Sequence, residues 1–260
     1  MVLPLSDDNS DRRLFPWVNY AIIAVNVLVF VFFQNLGDNQ TFTYRFAVVP
    51  REIITGHDMV TPEREVRDPA TGQQVEVPGL QPTPIPVYFT ILTAMFMHAG
   101  IAHIAGNMWF LWIFGDNIED HLGHVRYLIF YLLAGVLATM AHVLMNAHGA
   151  AAQIPSLGAS GAISGVLGGY IVLFPHRPVL VLLLRVITRV PAYVAVGIWF
   201  LFQLIEGLGV LGGDPGDDNV AYAAHVGGFV SGMVMIKLFD IFPWLRPKPS
   251  VIQLSPPPEQ

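Results

Sequence analysis

The chain contains no cysteine. Disulfides, thiolate zinc sites and a cysteine nucleophile are therefore excluded together. Charge is also scarce: Asp, Glu, Lys and Arg make up 12% of 260 residues. A soluble domain carries roughly twice that fraction. The net charge is -6, so no basic excess argues for a nucleic-acid partner. Where charge is missing, apolar residues stand instead, at 53% of the chain with a mean hydropathy of +0.54. Several apolar runs reach the length that crosses a bilayer. The expected class is all-α: a polytopic membrane helix bundle of six transmembrane helices.

The runs divide the chain as follows. A polar leader, residues 1–15, precedes Pro16, which is suited to open a helix. The first span covers 17–36 and lacks a small-residue cleavage site near its end, so it reads as retained and not as a signal peptide. Its Asn19 and Asn26 lie seven apart on one face, as helix–helix glue. A long polar first loop, 37–88, holds seven prolines. Within it Val66–Val77 suggests a hairpin about Ala70-Thr71-Gly72, and Pro78–Pro86 is too proline-rich for a regular element. Further spans are expected at 89–114, 125–145, 159–174, 191–208 and 220–239. Residues 115–124 read as a turn in which Glu119 ties helix ends together. Residues 176–190, with apolar Val179–Leu184 among three arginines, read as an interfacial segment. The Gly/Asp/Pro-rich stretch 209–219 is a loop, and the tail 241–260, proline-rich from Pro243, is expected to be disordered. The membrane domain is thus 16–240.

With six spans both termini share a side. That side collects nine basic residues, Arg12, Arg13, Arg126, Arg177, Arg185, Arg189, Lys237, Arg246 and Lys248, against four on the other. The positive-inside rule then puts both termini in the cytoplasm and the start of the fourth span on the outer side of a cell membrane.

That start reads Gly158-Ala159-Ser160-Gly161-Ala162-Ile163-Ser164-Gly165. The uncharged segment from Ala159 to Phe174 rises only about 24 Å as a helix, short of a bilayer core of about 30 Å. Ser160 can therefore sit below the outer surface, in a first turn with free backbone N–H groups and the positive end of the helix dipole. His225 opens the sixth span at a similar depth. Small residues recur every four positions in both spans, at Gly161, Gly165 and Gly169 and at Ala224, Gly228 and Gly232. Such faces let two helices approach closely. His103 and Asn107 lie one turn apart on the second span. Polar residues inside a span usually face the bundle interior.

The chemistry is coherent. A serine needs a base to take its proton, and neutral His225 fits that role. Developing negative charge needs donors, which the Ser160 N–H, Asn107 and His103 can supply. No carboxylate lies inside the fourth or sixth span, so a Ser–His dyad is expected, not a triad. A metal reading would use His98, His103 and His225, but it lacks a carboxylate and leaves Ser160 idle. His98 is instead expected to hold the loop before the second span. His142, near the far end of the third span, reads as interfacial.

These residues resemble the rhomboid family of intramembrane serine proteases. The likeness rests on Gly158-Ala159-Ser160-Gly161, on Ala224-His225 with Gly228 and Gly232, and on His98, His103 and Asn107, with Glu119 and Gly123 in the following turn. It implies Ser160 as nucleophile and His225 as base. It also implies that His103 and Asn107 form an oxyanion hole together with backbone near Gly158 and Ser160. The implied substrates are transmembrane segments of other membrane proteins, cleaved near their outer ends without a cofactor. Two departures stand out. Many members carry an aromatic residue four after the nucleophile, where this chain has Ser164. Many carry a Trp-Arg pair in the first loop, where this chain has Phe89-Thr90 and a longer loop. Two readings from other classes compete: a catalytically inactive relative that binds membrane proteins or serves their quality control, and a transporter, which would predict an inverted repeat that the sequence lacks.

Overall fold

Every residue from Gly161 to Tyr170 is buried, so the short helix that carries them must be wrapped by others. The computed structural model describes residues 2–62, 64–67, 74–77, 79–183, 185–207 and 219–241. Its helices are α1 (Trp17–Leu28, prolonged by a π-helical turn to Phe33), α2 (Gln40–Arg45), α3 (Pro50–Thr55), α4 (Thr90–Thr93), α5 (Ile101–Leu122), α6 (His124–Met145), α7 (Ser160–Leu173), α8 (Ala192–Gly207) and α9 (Asn219–Ile241). The central helix, α7, packs against α5, α6, α8 and α9, while α1 lies on α5 and α6. The molecule is mostly helical.

Among the described residues, two helices are long and apolar enough to cross a membrane alone, His124–Met145 and Tyr222–Ile241. A third candidate is a pair, Val87–Phe96 and Ile101–Leu122, bent by 79°. Trp17–Phe33, Ser160–Leu173 and Ala192–Ile205 are apolar but shorter.

The expected second span, 89–114, is corrected in two ways. It is not one helix: the chain breaks after Phe96, where Met97 is extended, and α5 starts afresh at Ile101. The break is held open because Gln34 grips the His98 backbone on both sides, accepting from its N–H and donating to its carbonyl at 2.9 Å each. The expected turn at 115–124 is also helical as far as Leu122. Only Gly123, at φ 77°, links α5 to α6. The polar residues of that last stretch stay helical because each finds a partner. Glu119 accepts the N–H groups of Val18 and Asn19 at 3.0 and 2.7 Å, and it also bonds His124. The first turn of α1 has no side-chain cap of its own, so Glu119 supplies from α5 what Pro16 cannot. Asn19 joins helices as expected, donating to the Leu111 carbonyl and accepting from the Tyr127 hydroxyl.

The all-helical expectation is corrected by five strands among the described residues. β1 (Val2–Asp7), β4 (Pro178–Leu183) and β5 (Val186–Pro191) form an antiparallel sheet in the order β1-β4-β5, with Val2 opposite Leu183 and Pro178 opposite Pro191. The segment expected at the interface is therefore a hairpin, and the leader is its third strand. Val179 and Val181 are fully buried while their neighbours are not, the alternation of a half-buried strand. β2 (Arg64–Arg67) and β3 (Gln74–Val77) form the hairpin expected in the first loop, though its turn at 70–72 lies outside the described residues. The loop is more ordered than expected, since α2 and α3 belong to it, whereas residues 79–86 form no regular element. The loop 209–219 up to Asp218 and the tail beyond Ile241 lie outside the described residues.

Polar residues lock the sheet to the bundle. The Asp7 carboxylate accepts from the Tyr170 hydroxyl at 2.7 Å and from Asn117 at 2.6 Å, and Arg12 pairs with Asp116 at 2.6 Å. Burial pushes the Asp7 carboxyl up to about 7. The Tyr170 hydrogen bond opposes that shift, Asp116 adds to it, and Arg177 opposes it. An unfolded chain releases this proton near pH 3.8, whereas the folded one holds it to about pH 7. The folded state binds the extra proton between those values, so stability should fall as pH rises through them. Asp7→Asn, which keeps an acceptor but cannot ionise, should flatten that decline. Thermal unfolding of both proteins in detergent from pH 4 to pH 8 reads the slope, and identical slopes would remove Asp7 as its source.

Candidate active site

The loop that delivers the serine is fixed at two residues, Ser156 and Gly158, by three backbone hydrogen bonds. Val48 and Ser156 exchange backbone hydrogen bonds at 2.9 and 2.7 Å, which ties the first loop to it. The Gly158 N–H donates to the Ala94 carbonyl at 2.8 Å. Gly158 itself has φ +130°, a conformation that favours glycine. A Cβ there would stand 3.0 Å from Cε1 and Nε2 of His103 and 3.6 Å from the Ser160 Oγ. His103 and the serine hydroxyl thus flank one point over a residue that has no side chain. The hydrogen bond from Gly158 also means that its N–H is committed to Ala94, leaving the Ser160 N–H, in the first turn of α7, as the free backbone donor.

His225 lines the same cavity from α9, and α7 and α9 touch backbone to backbone. A Cβ on Gly228 would lie 2.1 Å from the Gly161 carbonyl oxygen, and one on Gly232 would lie 2.0 Å from that of Gly165. The small-residue face of α9 therefore meets the backbone of α7. The α7 face of Gly161, Gly165 and Gly169 turns mainly to α6, where added Cβ atoms would lie 2.7 Å from Ala138, 2.5 Å from Ala134 and 3.1 Å from Phe130. Gly168, which the repeat did not single out, is the α7 glycine whose Cβ would strike α9, 2.1 Å from the Phe229 carbonyl oxygen. Nδ1 of His225 pairs with Oε1 of Gln203 on α8, and the Trp199 ring lies 6.2 Å away between centroids. Nε2 of His225 is buried and has no partner.

All four expected site residues, Ser160, His225, His103 and Asn107, line one cavity of about 340 Å³. Asn107 is buried and its Nδ2 donor has no acceptor. Nδ1 of His103 accepts from the Ala99 N–H at 3.4 Å. In the neutral ring that leaves the proton on Nε2, the nitrogen facing Gly158. One cavity is thus lined by a hydroxyl, an imidazole whose Nε2 has no partner and the polar groups of Asn107 and His103. No carboxylate stands among the described residues that line the cavity. Chemically this set can transfer a proton from an alcohol and hold a negative oxygen.

Three residues differ from expectation or were not assigned. His142, expected near the far end of its span, is buried and lines the cavity from α6. The reason is that α6 turns this face toward α7 and the loop before it. His98 sits beside the break as expected, but its backbone makes the bonds; its ring packs on His103 at 5.1 Å, and neither ring nitrogen has a partner. Gln203 carried no expected role. Its signal was the four-residue spacing from Trp199, which puts both on one face of α8. Ser164 donates to the Ser160 carbonyl at 2.7 Å and stays away from His225.

Comparison with known proteins agrees with this geometry. The profile of the Rhomboid domain matches residues 86–240. The chain is similar to "Rhomboid protease GluP" of Bacillus subtilis, at 30% identity over 148 residues, covering 56% of this chain and 25% of that protein. It is similar to "RHOMBOID-like protein 1" of Arabidopsis thaliana, at 27% over 246 residues, covering 88% and 54%. It is also similar to "Rhomboid protein 1, mitochondrial" of Saccharomyces cerevisiae, at 30% over 216 residues, covering 83% and 51%. The chain therefore spans about a quarter to a half of the length of these relatives.

Proposed function

The chain belongs to the rhomboid family, and from that membership we propose that it is an intramembrane serine endopeptidase whose Ser160 and His225 act as a dyad. The observation that carries this reading is the direct contact of α7 with α9, which brings a serine and a histidine with a free Nε2 to one cavity. The reading follows simple chemistry. His225 Nε2 takes the proton of the Ser160 hydroxyl as Oγ attacks a peptide carbonyl. The oxyanion is held by the Asn107 amide, the His103 Nε2–H and the Ser160 N–H. The imidazolium then protonates the leaving amine, and the C–N bond breaks to give an acyl-enzyme. Water, deprotonated by the same histidine, hydrolyses the ester. No step uses a cofactor or a metal.

We read the six apolar elements as six spans, with the bent pair as the second and α7 as a short span surrounded by protein. The membrane-spanning part is then 16–240, with the leader 1–15 packed onto it through β1 and the tail 241–260 following it. The basic-residue split favours termini in the cytoplasm and a site opening outward. Two of the relatives named above come from a bacterium and from mitochondria, so the proposal is a multi-pass membrane enzyme without the expected restriction to the cell membrane. Its substrates would be transmembrane segments of other membrane proteins.

The test is cleavage of a panel of single-span substrates by the intact protein and by Ser160→Ala. Cleavage lost with the serine supports the reading, and equal cleavage rejects it. Asn107→Ala should lower turnover on the order of 10²–10³, the scale for a principal oxyanion donor. Substrate binding should change less, because the charge that Asn107 serves exists mainly in the transition state. Unchanged kcat in a well-folded variant would take Asn107 out of the site.

A further inference from the structure

We infer that Gln203 is a positioning residue that fixes the tautomer and orientation of His225, and so does for this dyad what a third catalytic-triad member does elsewhere. The inference rests on the reading of His225 as the base.

The geometry has three parts. First, a base must present a bare Nε2 to the serine, which requires the ring proton to be on Nδ1. Gln203 Oε1, a pure acceptor, faces Nδ1. Second, Nε2 is buried with no partner, so nothing else competes for its lone pair. Third, among the described residues Gln203 makes the one hydrogen bond to the ring. Ser164, on the adjacent helix, is turned to the Ser160 carbonyl, and Trp199 lies tilted by 46° at 6.2 Å, a wall and not a stack. An unheld imidazole would divide between two tautomers and several rotamers, and only one combination accepts a proton from Ser160.

An amide suits this place. It orients the ring without adding a charge to a cavity that holds no carboxylate among its described residues. Among the described residues, the other titratable groups lining the cavity are His103 of α5 and His142 of α6, so a carboxylate at position 203 would add an anion to a lining that has none there.

Gln203→Met keeps the length and volume of the side chain but removes the acceptor. It should lower kcat about 10- to 100-fold, at or below the 10²–10⁴ that a general base itself supplies, with KM unchanged. Fluorophosphonate labelling of Ser160 should slow by a similar factor. Gln203→Glu restores an acceptor and should recover most of the rate. Its carboxylate stabilises the imidazolium, so the acidic limb of its pH–rate profile should move to higher pH. A merely structural role would move thermal stability and KM and leave that limb in place. Independently of activity, ring ¹⁵N shifts of His225 in the intact protein should report protonation at Nδ1, and mixed protonation in Gln203→Met. Full kcat and labelling in Gln203→Met, or protonation at Nε2 in the intact protein, would overturn the inference while Ser160-dependent cleavage stands. Absence of Ser160-dependent cleavage and labelling in the intact protein would overturn the dyad itself, and the inference with it.

Discussion

Ser160→Ala is expected to abolish nearly all peptide cleavage, and adding His225→Ala to cost almost nothing more. The two side chains act in one event, since the bond to carbon forms as the proton leaves oxygen. Removing either one removes the event, so their effects should be strongly non-additive, as for catalytic groups that work as a unit. Two independent contributors would instead multiply. Loss of fold is not an escape from this result for the serine, because among the described residues its hydroxyl makes no hydrogen bond and only the carbonyl of Ser160 is used, by Ser164. The backbone and that bond survive in alanine. A fluorophosphonate should label Ser160 in the intact protein, as mapped by mass spectrometry, and label the His225→Ala protein far more slowly. Chelators should leave the rate untouched. If the purified Ser160→Ala protein cleaves at near the intact rate, the dyad is rejected, and with it the claim of a serine protease.

Gly228→Leu should be the most damaging change remote from the reacting atoms. Its Cβ alone would lie 2.1 Å from the Gly161 carbonyl oxygen and 3.2 Å from the Ser164 Cβ. The first of these is backbone inside a helix, which no rotamer change can move aside. The helices must therefore separate, and α7 starts at Ser160 while α9 carries His225. A displacement of about 1 Å in such a pair can cost about 10² in rate. Overpacking of this kind also costs about 1–3 kcal/mol of stability, with more possible. Activity and thermal unfolding temperature should fall together. Gly197→Ala on α8 is the control: a Cβ there meets nothing within 4 Å, so both readouts should stay put. A Gly228→Leu protein with full activity would mean that α7 and α9 are not in backbone contact.

The residues themselves announced the parts of this molecule that depend on near neighbours. The low charge and the apolar runs required a lipid environment. The four-residue repeats of Gly161 and Gly165 and of Gly228 and Gly232 marked two faces built for close packing, because residues four apart share a helix face whatever lies around them. The same spacing paired His103 with Asn107, and the first-turn position of Ser160 followed from where its apolar run began. Tertiary structure decided what depends on partners distant in sequence. Strand β1 is a strand because β4, whose residues lie 172 to 181 positions further along the chain from Asp7↔Val179 to Val2↔Leu183, offers matching hydrogen bonds, and no local pattern in a short polar leader encodes that. The second span breaks at Met97 because Gln34, at the bend just past the first helix, holds the His98 backbone. His142 reached the cavity, and Gln203 reached His225, through the way helices turn against one another, and a lone polar residue in an apolar helix carries no periodicity that names its partner. Local spacing says which face a residue occupies; only the packing of backbones far apart in the chain says what that face meets.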